Sequence, residues 1–306
     1  MPELDLKTAL DDPASWQARA LWSLQVPRVL QGLVAGATLA LSGAALQGLL
    51  RNALADPFIL GVSGGAALGS TAAVLTGLGA AVAAPTGGFL GALGALLLVT
   101  ALASERGRVA PLRVLLVGVV FNALAGAGLM VLQAFADPGA LQAAVFRLMG
   151  SVGADPSRPA LLPILAGAFA VGLAAALAHA RSLDVLALGD DTARSLGVDP
   201  DRLRLRLFVL LSVPIGAVVA VTGLIGFVGL IVPHAVRLAL GPDHRALLPI
   251  SALVGGAFVV VADAVVSALS PALGTELPVG VLTALVGGPL FLALLRWRPS
   301  QAEVAT

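Results

Sequence analysis

The sequence predicts an all-α, polytopic membrane bundle of about nine spans, and three observations predict it. Hydrophobic residues make up 58% of the chain and charged residues only 11%, whereas a water-soluble domain carries about 25% charged residues. Mean hydropathy is +0.99, so the solvent for most of the surface is lipid. Apolar stretches of about 20 residues, the length that crosses a hydrocarbon core of roughly 30 Å, recur between short connections. A chain of 306 residues is filled by such spans and leaves no room for a sizeable soluble domain.

Residues 1–25 are polar, carry acids, and lack the basic start and apolar core of a secretory signal. They read as an extracytoplasmic segment ahead of a transmembrane domain at 26–298, which is followed by a cytoplasmic tail at 299–306. Within that domain the spans fall near 28–50, 58–78, 80–103, 113–135, 160–180, 203–224, 226–240, 246–268 and 278–296. The stretch 226–240 is short and crowded by Gly229 and Pro233, which suits a bent or half-length helix. Orientation follows from the cations, because cytoplasmic loops are enriched in Lys and Arg. With the amino terminus outside and nine full crossings, thirteen arginines face inward and five cations, Lys7, Arg19, Arg28, Arg147 and Arg158, face outward.

Small residues recur every fourth position along the first span, at Gly32, Gly36, Ala40, Ala44 and Gly48. In lipid such a stripe lets helix backbones approach, and van der Waals packing takes over where the hydrophobic drive between helices is missing. The outer connection 136–159 holds a short apolar run, LQAAVFRLM, that reads as an interfacial helix. The inner connection 182–202 carries helix punctuation. Asp190 and Asp191 stand where a helix start favours negative charge, Arg194 follows one turn later, Gly197 suits a left-handed helix end, and Asp199-Pro200 is a cap followed by proline.

Several chemistries are excluded or weakly supported. There are no cysteines, hence neither disulfides nor thiolate ligands. Lys7 is the only lysine, so the chain has no P-loop of the G-x-x-x-x-G-K-[ST] form and relies on another subunit for any ATP hydrolysis of that type. His179, His234 and His244 lack partners at ligand spacing, and no metal or cofactor is expected. His179 and His244 read as solvated near membrane boundaries, and His234 as lying at a helix start after Pro233. Asp263 is the one acid well inside an apolar run; it reads as structural, either bonding a neighbouring helix or capping a break. Asn122 and Gln133 in the fourth span either face a pathway or bond across helices. Glu276 reads as a helix-start residue, and no Ser/His/Asp set forms a nucleophile with its base.

Four stretches together resemble the FecCD-type permeases, the membrane subunits of type II ABC importers for ferric siderophores, haem and cobalamin. They are VPRVLQGLVAGATLALSGAALQGLLRNALADPFILGVSGGAALG (26–69), LALGDDTARSLGVDPDRLR (186–204), GLIGFVGLIVPHAVRLALGPDHRALLP (223–249) and ELPVGVLTALVGGPLFLALL (276–295), in the family's order and spacing. The resemblance implies a homodimer in the bacterial inner membrane, two ATP-binding subunits below it, a substrate-binding protein above it, and no nucleic-acid partner. It implies a coupling segment at 184–200 that meets the ATPase through Gly189, Asp190, Ala193, Arg194, Leu196 and Gly197. It places a cytoplasmic gate at Asn52 and Leu54 and outer docking cations at Arg28 and Arg147. Gln25 and Ser267 stand where many members have arginine, which weakens the outer charge pairing. Members commonly have ten spans, so a first helix is expected to be missing ahead of this sequence. The implied cargo is a metal chelate, a ferric siderophore first, with haem or cobalamin as alternatives. A rival reading is a carrier driven by an ion gradient through Asp263.

Overall fold

The computed structural model describes residue 12 and residues 15–76, 80–105, 108–134, 149–153, 160–275 and 277–296. The expected interfacial helix in 136–159, the tail at 299–306, Arg147 and Glu276 lie outside the described residues, as does the side chain of Gln133. In chain order the helices are α1 (Trp16–Leu50), α2 (Phe58–Leu75), α3 (Ala80–Ala103), α4 (Pro111–Ala134), α5 (Leu161–Ala178), α6 (Ala180–Ala187), α7 (Asp190–Ser195), α8 (Pro200–Thr222), α9 (Val228–Leu240), α10 (His244–Leu273) and α11 (Val279–Arg296). A pair of two-residue antiparallel strands, Ser104–Glu105 and Arg108–Val109, closes the α3–α4 turn. Seven of these helices are long and apolar enough to span, and α9 and α11 are shorter apolar helices. Among the described residues, nine apolar helices stand near the places where the hydropathy put nine spans.

The first helix is longer than expected. It starts at Trp16, capped by the Ser15 hydroxyl accepting from the Ala18 amide at 3.0 Å, and runs through a π-turn at Leu21–Gln25 into the span. Hydropathy reads the solvent around a helix and is silent about a polar turn that projects beyond the hydrocarbon.

α1 is the central post, with most of its length buried. Its small-residue stripe is a packing seam: Gly36 lies backbone to backbone against Gly255 of α10, and Ala40 packs on the same glycine. Any side chain added at Gly36 or Gly255 would enter the facing helix. A second seam pairs Gly65 and Gly69 of α2 with Gly91 and Gly87 of α3. These contacts are van der Waals interactions between closely approached backbones, the form of helix association that lipid leaves available.

α9 starts inside the bundle. Its first turn, at Gly229, lies against Leu39 and Gly43 of α1, and the Gln47 amide donates to the carbonyls of Gly229 and Leu230 at 3.2 and 3.1 Å. Thirteen residues rise about 20 Å, short of the roughly 30 Å of hydrocarbon, so the non-helical 223–227 segment completes the crossing within protein. Such backbone is tolerated at membrane depth when protein surrounds it. The ends alternate as nine crossings require. The connections after α1, after α5 and before α10 meet at one end of the bundle, joined by Arg51–Asp190 and His244–Asp184 contacts. At the other end the 149–153 segment bonds to Thr222 and to Gly280.

Two histidines depart from expectation. His244 is buried, with 1% of its side chain exposed, because it opens α10 against Gly48 of α1 and its Nδ1 pairs with Asp184 at 2.6 Å. His234 sits in the interior of α9 rather than at its start, buried and edge-on to Phe291 with ring centroids 6.3 Å apart. Helix α9 begins six residues earlier than that histidine, and Pro233 is accommodated inside it.

Candidate functional site

The end of the bundle where α1, α6, α7, α8 and α10 meet carries a cluster of ion pairs. α6 and α7 form a helix-turn-helix whose inner face, Ala180, Leu183, Leu186 and Ala193, is buried in the core. The hinge between them is Gly189 at φ +116° and ψ 156°, a backbone conformation open essentially to glycine alone. Gly197 follows α7 at φ +83°, and the Asp199 carboxylate caps α8 by accepting from the amides of Asp201 and Arg202, both at 3.1 Å. Ala193 therefore fills this chain's own core, which takes it away from any partner. What the pair leaves outward is Leu188, Asp191, Arg194, Leu196 and Gly197, with Leu188 66% and Leu196 59% exposed.

At the centre of the cluster stands Asp190. Arg204, with 1% of its side chain exposed, reaches it from α8 with two hydrogen bonds, both 2.8 Å, one to each carboxylate oxygen. The same guanidinium donates through Nε to the carbonyl of Leu49, in the last turn of α1, at 3.2 Å. Arg51, just past that turn, pairs with the same carboxylate at 3.0 Å. Hydrogen bonding from Arg204 holds the Asp190 carboxyl below the ordinary carboxylate range, and the charges of Arg204, Arg51 and Arg194 add to the effect against the opposing pull of burial. Arg194 itself bridges Asp191 and Asp201 at 3.3 and 3.2 Å on the surface.

Arg51 adopts the left-handed region at φ +48° and ends α1. The loop then folds on itself: the Asn52 side-chain oxygen accepts from the Leu54 amide at 2.9 Å, and Leu54 projects at the tip, 45% exposed. Asp56 caps the next helix by accepting from the Phe58 amide at 2.8 Å, but its Oδ2 is buried beside Gly229 with no hydrogen-bond partner among the described residues. Burial pushes its carboxyl up to about 6.

Asn122 bonds across helices. Gly61, at φ +90°, interrupts the first turns of α2, and Asn122 of α4 stitches the gap: its amide donates to the Phe58 carbonyl at 2.9 Å and its oxygen accepts from the Gly64 amide at 3.0 Å. The backbone groups that the bend releases are satisfied by a side chain, as membrane depth demands.

At the far end of α1, Arg28 is already engaged. Its guanidinium donates to both oxygens of Asp263 on α10, at 2.7 and 2.8 Å, and to the Ser267 hydroxyl at 3.0 Å. Asp263 thus bonds a neighbouring helix.

The sequence singles out Asp190 and Arg194 and puts Arg51 and Arg204 among the inward-facing arginines, but it does not show that these meet at one carboxylate, nor that Asp184 pairs with His244. One signal was available for Arg204. It shares a helical face with Leu207, Phe208, Leu211 and Ile215, all buried, whereas Arg202 and Arg206 do not.

Among the described residues, eight apolar helices around the buried post α1, with one polar helix pair at one end, make a multi-pass membrane bundle. The chain belongs to the FecCD transport family, whose family model matches residues 3–297, and it is of the ABC-importer permease class. It is 44% identical to a cobalamin import system permease protein of Halobacterium salinarum, over 92% of this chain and 74% of that one. It is 41% identical to a hemin transport system permease protein of Yersinia pestis, over 90% of this chain and 84% of the relative. Among solved structures, one described as an inward-facing conformation of a metal-chelate type ABC transporter superposes with a TM-score of 0.85 at 34% identity, covering 97% of this chain and 92% of that one.

Proposed function

We propose that this chain, as a homodimer in a bacterial inner membrane, passes a bulky metal chelate inward by alternating access, driven by two separate ATP-binding subunits and supplied by an extracytoplasmic binding protein. The observation that carries the reading is the α6–α7 pair. A capped, polar helix-turn-helix at the end of an apolar bundle exposes Leu188 and Leu196, which a folded chain gains nothing by leaving in water. They suit a groove on a soluble partner, with Arg194 and Asp191 at its rim. The Asn52–Leu54 turn, tied to the same carboxylate, suits the adjacent gate, and Arg28 the outer docking face.

α4 is among the least buried of the spans, and lipid or a second copy can cover it. Leu116, Val120, Leu124 and Met130 are all more than half exposed, and with α2 and α3 this helix walls an apolar cavity of about 500 Å³. A second copy or a bulky cargo fits such a face, and a hydrated ion does not. For cargo, relatives named for cobalamin and for hemin favour a metal-bearing macrocycle, cobalamin first, over the ferric siderophore that the sequence alone suggested.

The test is Leu196→Glu in the purified permease. It should leave thermal stability unchanged, since Leu196 is exposed, and weaken association with the cognate ATP-binding subunit by about tenfold or more, the loss of a central apolar anchor. Undiminished association would overturn the assignment of this face. Uptake of cobalamin, haem and a ferric siderophore into vesicles holding the assembled complex then ranks the cargo.

A further inference from the structure

Asp190 joins two parts that would otherwise move independently. The carboxylate belongs to the first turn of α7, the element that faces the solvent end of the bundle. One of its partners, Arg204, is buried in α8 and fastened in turn to the Leu49 carbonyl. The other, Arg51, is 39% exposed and is the first residue of the turn that projects Leu54. Directly behind the carboxylate the chain passes through Gly189, whose positive φ makes a hinge between α6 and α7, and the Arg51 guanidinium lies against that glycine. Thus α7 follows a glycine hinge, and among the described residues the pair of charges Arg51 and Asp190 ties it to the Asn52–Leu54 turn.

We propose that Arg51 and Asp190 are positioning residues that transmit movement of α7 to the Asn52–Leu54 turn, so that the turn opens and closes with the helix pair. The inference rests on the proposed function, because movement of α7 is there attributed to an ATP-binding partner. The division of labour within the node follows from burial. Arg204 fixes Asp190 to the bundle and holds the fold, whereas Arg51 adds only the link to the turn. Removing Arg51 leaves the two bonds between Asp190 and Arg204 in place, so the fold survives its loss.

The experiment compares Arg51→Gln with Arg51→Lys in the assembled complex, reconstituted in vesicles with its ATP-binding subunits and binding protein. Substrate carried per ATP hydrolysed is the readout. Arg51→Gln should lower that ratio about fivefold or more, the lower range of ordinary coupling between sites, while the complex still hydrolyses ATP. Arg51→Lys keeps a charge on Asp190 and should restore most of the ratio. Arg245→Gln removes an exposed arginine outside the node and should leave the ratio alone. The chain has no cysteine, so a Leu54→Cys probe gives a second measurement. Its maleimide labelling rate should change when nucleotide binds in the parent and stay constant in the Arg51→Gln background. An unchanged transport ratio with nucleotide-sensitive labelling in Arg51→Gln would overturn the inference, as would loss of ATPase association, which would make Arg51 a docking residue. If the parent complex itself carries nothing on ATP, the proposed function fails and this inference with it; if the parent transports and Arg51→Gln transports as economically, the inference alone fails.

Discussion

The two ends of α1 are both tied by arginine to aspartate, yet they are built differently. At the end that the proposed orientation places outside, the Arg28 guanidinium, 39% exposed, meets the Asp263 carboxylate of α10, 10% exposed, with the Ser267 hydroxyl beside it. At the other end the last turn of α1 meets a buried arginine, a loop arginine and a shared carboxylate, and one turn away Gly48 is covered by His244. Arg28 is partly open to solvent, so water and salt compete for its charge, while its partner Asp263 is largely buried. A buried guanidinium has lost its water and depends on its partners. The Arg28 end therefore joins two helices through a guanidinium that water can reach, whereas the Asp190 end holds several elements together around one, Arg204, that water cannot.

The sharpest way to break this comparison is at Arg204. Arg204→Ala strips Asp190 of both short hydrogen bonds, frees the Leu49 carbonyl, and opens space beneath α7. The expected loss is about 3 kcal/mol or more, the range for deleting one member of a buried pair. Thermal unfolding in detergent, followed by the fraction of protein that stays monodisperse, should show a large fall. A fall no greater than that of an exposed pair would mean that the inner end is not built on burial.

Asp56 sharpens the same contrast in the opposite direction, since it is a buried charge at the inner end whose Oδ2 has no partner among the described residues. Its carboxyl titrates near 6 in the folded protein, against 3.8 for the ordinary group. Between these values the folded chain holds a proton that the unfolded chain releases. Stability therefore falls as pH rises through that window and stays at the lower level above it. Asp56→Asn removes the penalty and keeps an oxygen for the Phe58 amide. At pH 8 the variant should be the more stable by up to about 3 kcal/mol, because each tenfold change in proton affinity is worth about 1.4 kcal/mol. Below pH 4 the two proteins should converge. A difference that does not depend on pH would show that Asp56 stays ionised.

How much of this was legible in the sequence depends on how far each partner lies along the chain. The spans were readable because lipid demands an unbroken apolar run, and the caps at Gly197 and Asp199 because capping acts within four residues. The Gly36–Ala40 stripe was readable as a seam, though its partner, Gly255, was not. Arg51 and Arg204 were counted as loop cations and His244 as solvated, since nothing in the adjacent residues distinguishes a surface arginine from one that donates to a carbonyl 155 positions earlier. Only helix phase marked Arg204 out. Asn122 remained ambiguous for the same reason: its role comes from the φ of Gly61 on another helix, and composition does not report a φ.

The smallest expected effect lies at the outer end. Asp263→Asn removes the counter-charge and leaves Arg28 with a neutral amide and the Ser267 hydroxyl. With Arg28 39% and Asp263 10% exposed, the loss of stability should lie between the roughly 1 kcal/mol of an exposed pair and the roughly 3 kcal/mol of a buried one. The change in charge is felt further out, because an arginine no longer neutralised by Asp263 presents a full positive charge to an approaching acidic surface. With Arg28 as the docking cation, the association rate of the binding protein should rise in low salt and return to the parent value as salt is added, since steering charges are screened within a Debye length of about 10 Å at 0.1 M. Arg28→Gln should lower the same rate. Stopped-flow association at several ionic strengths separates the outcomes: equal rates for Asp263→Asn, Arg28→Gln and the parent would confine the Arg28–Asp263 pair to holding α1 against α10.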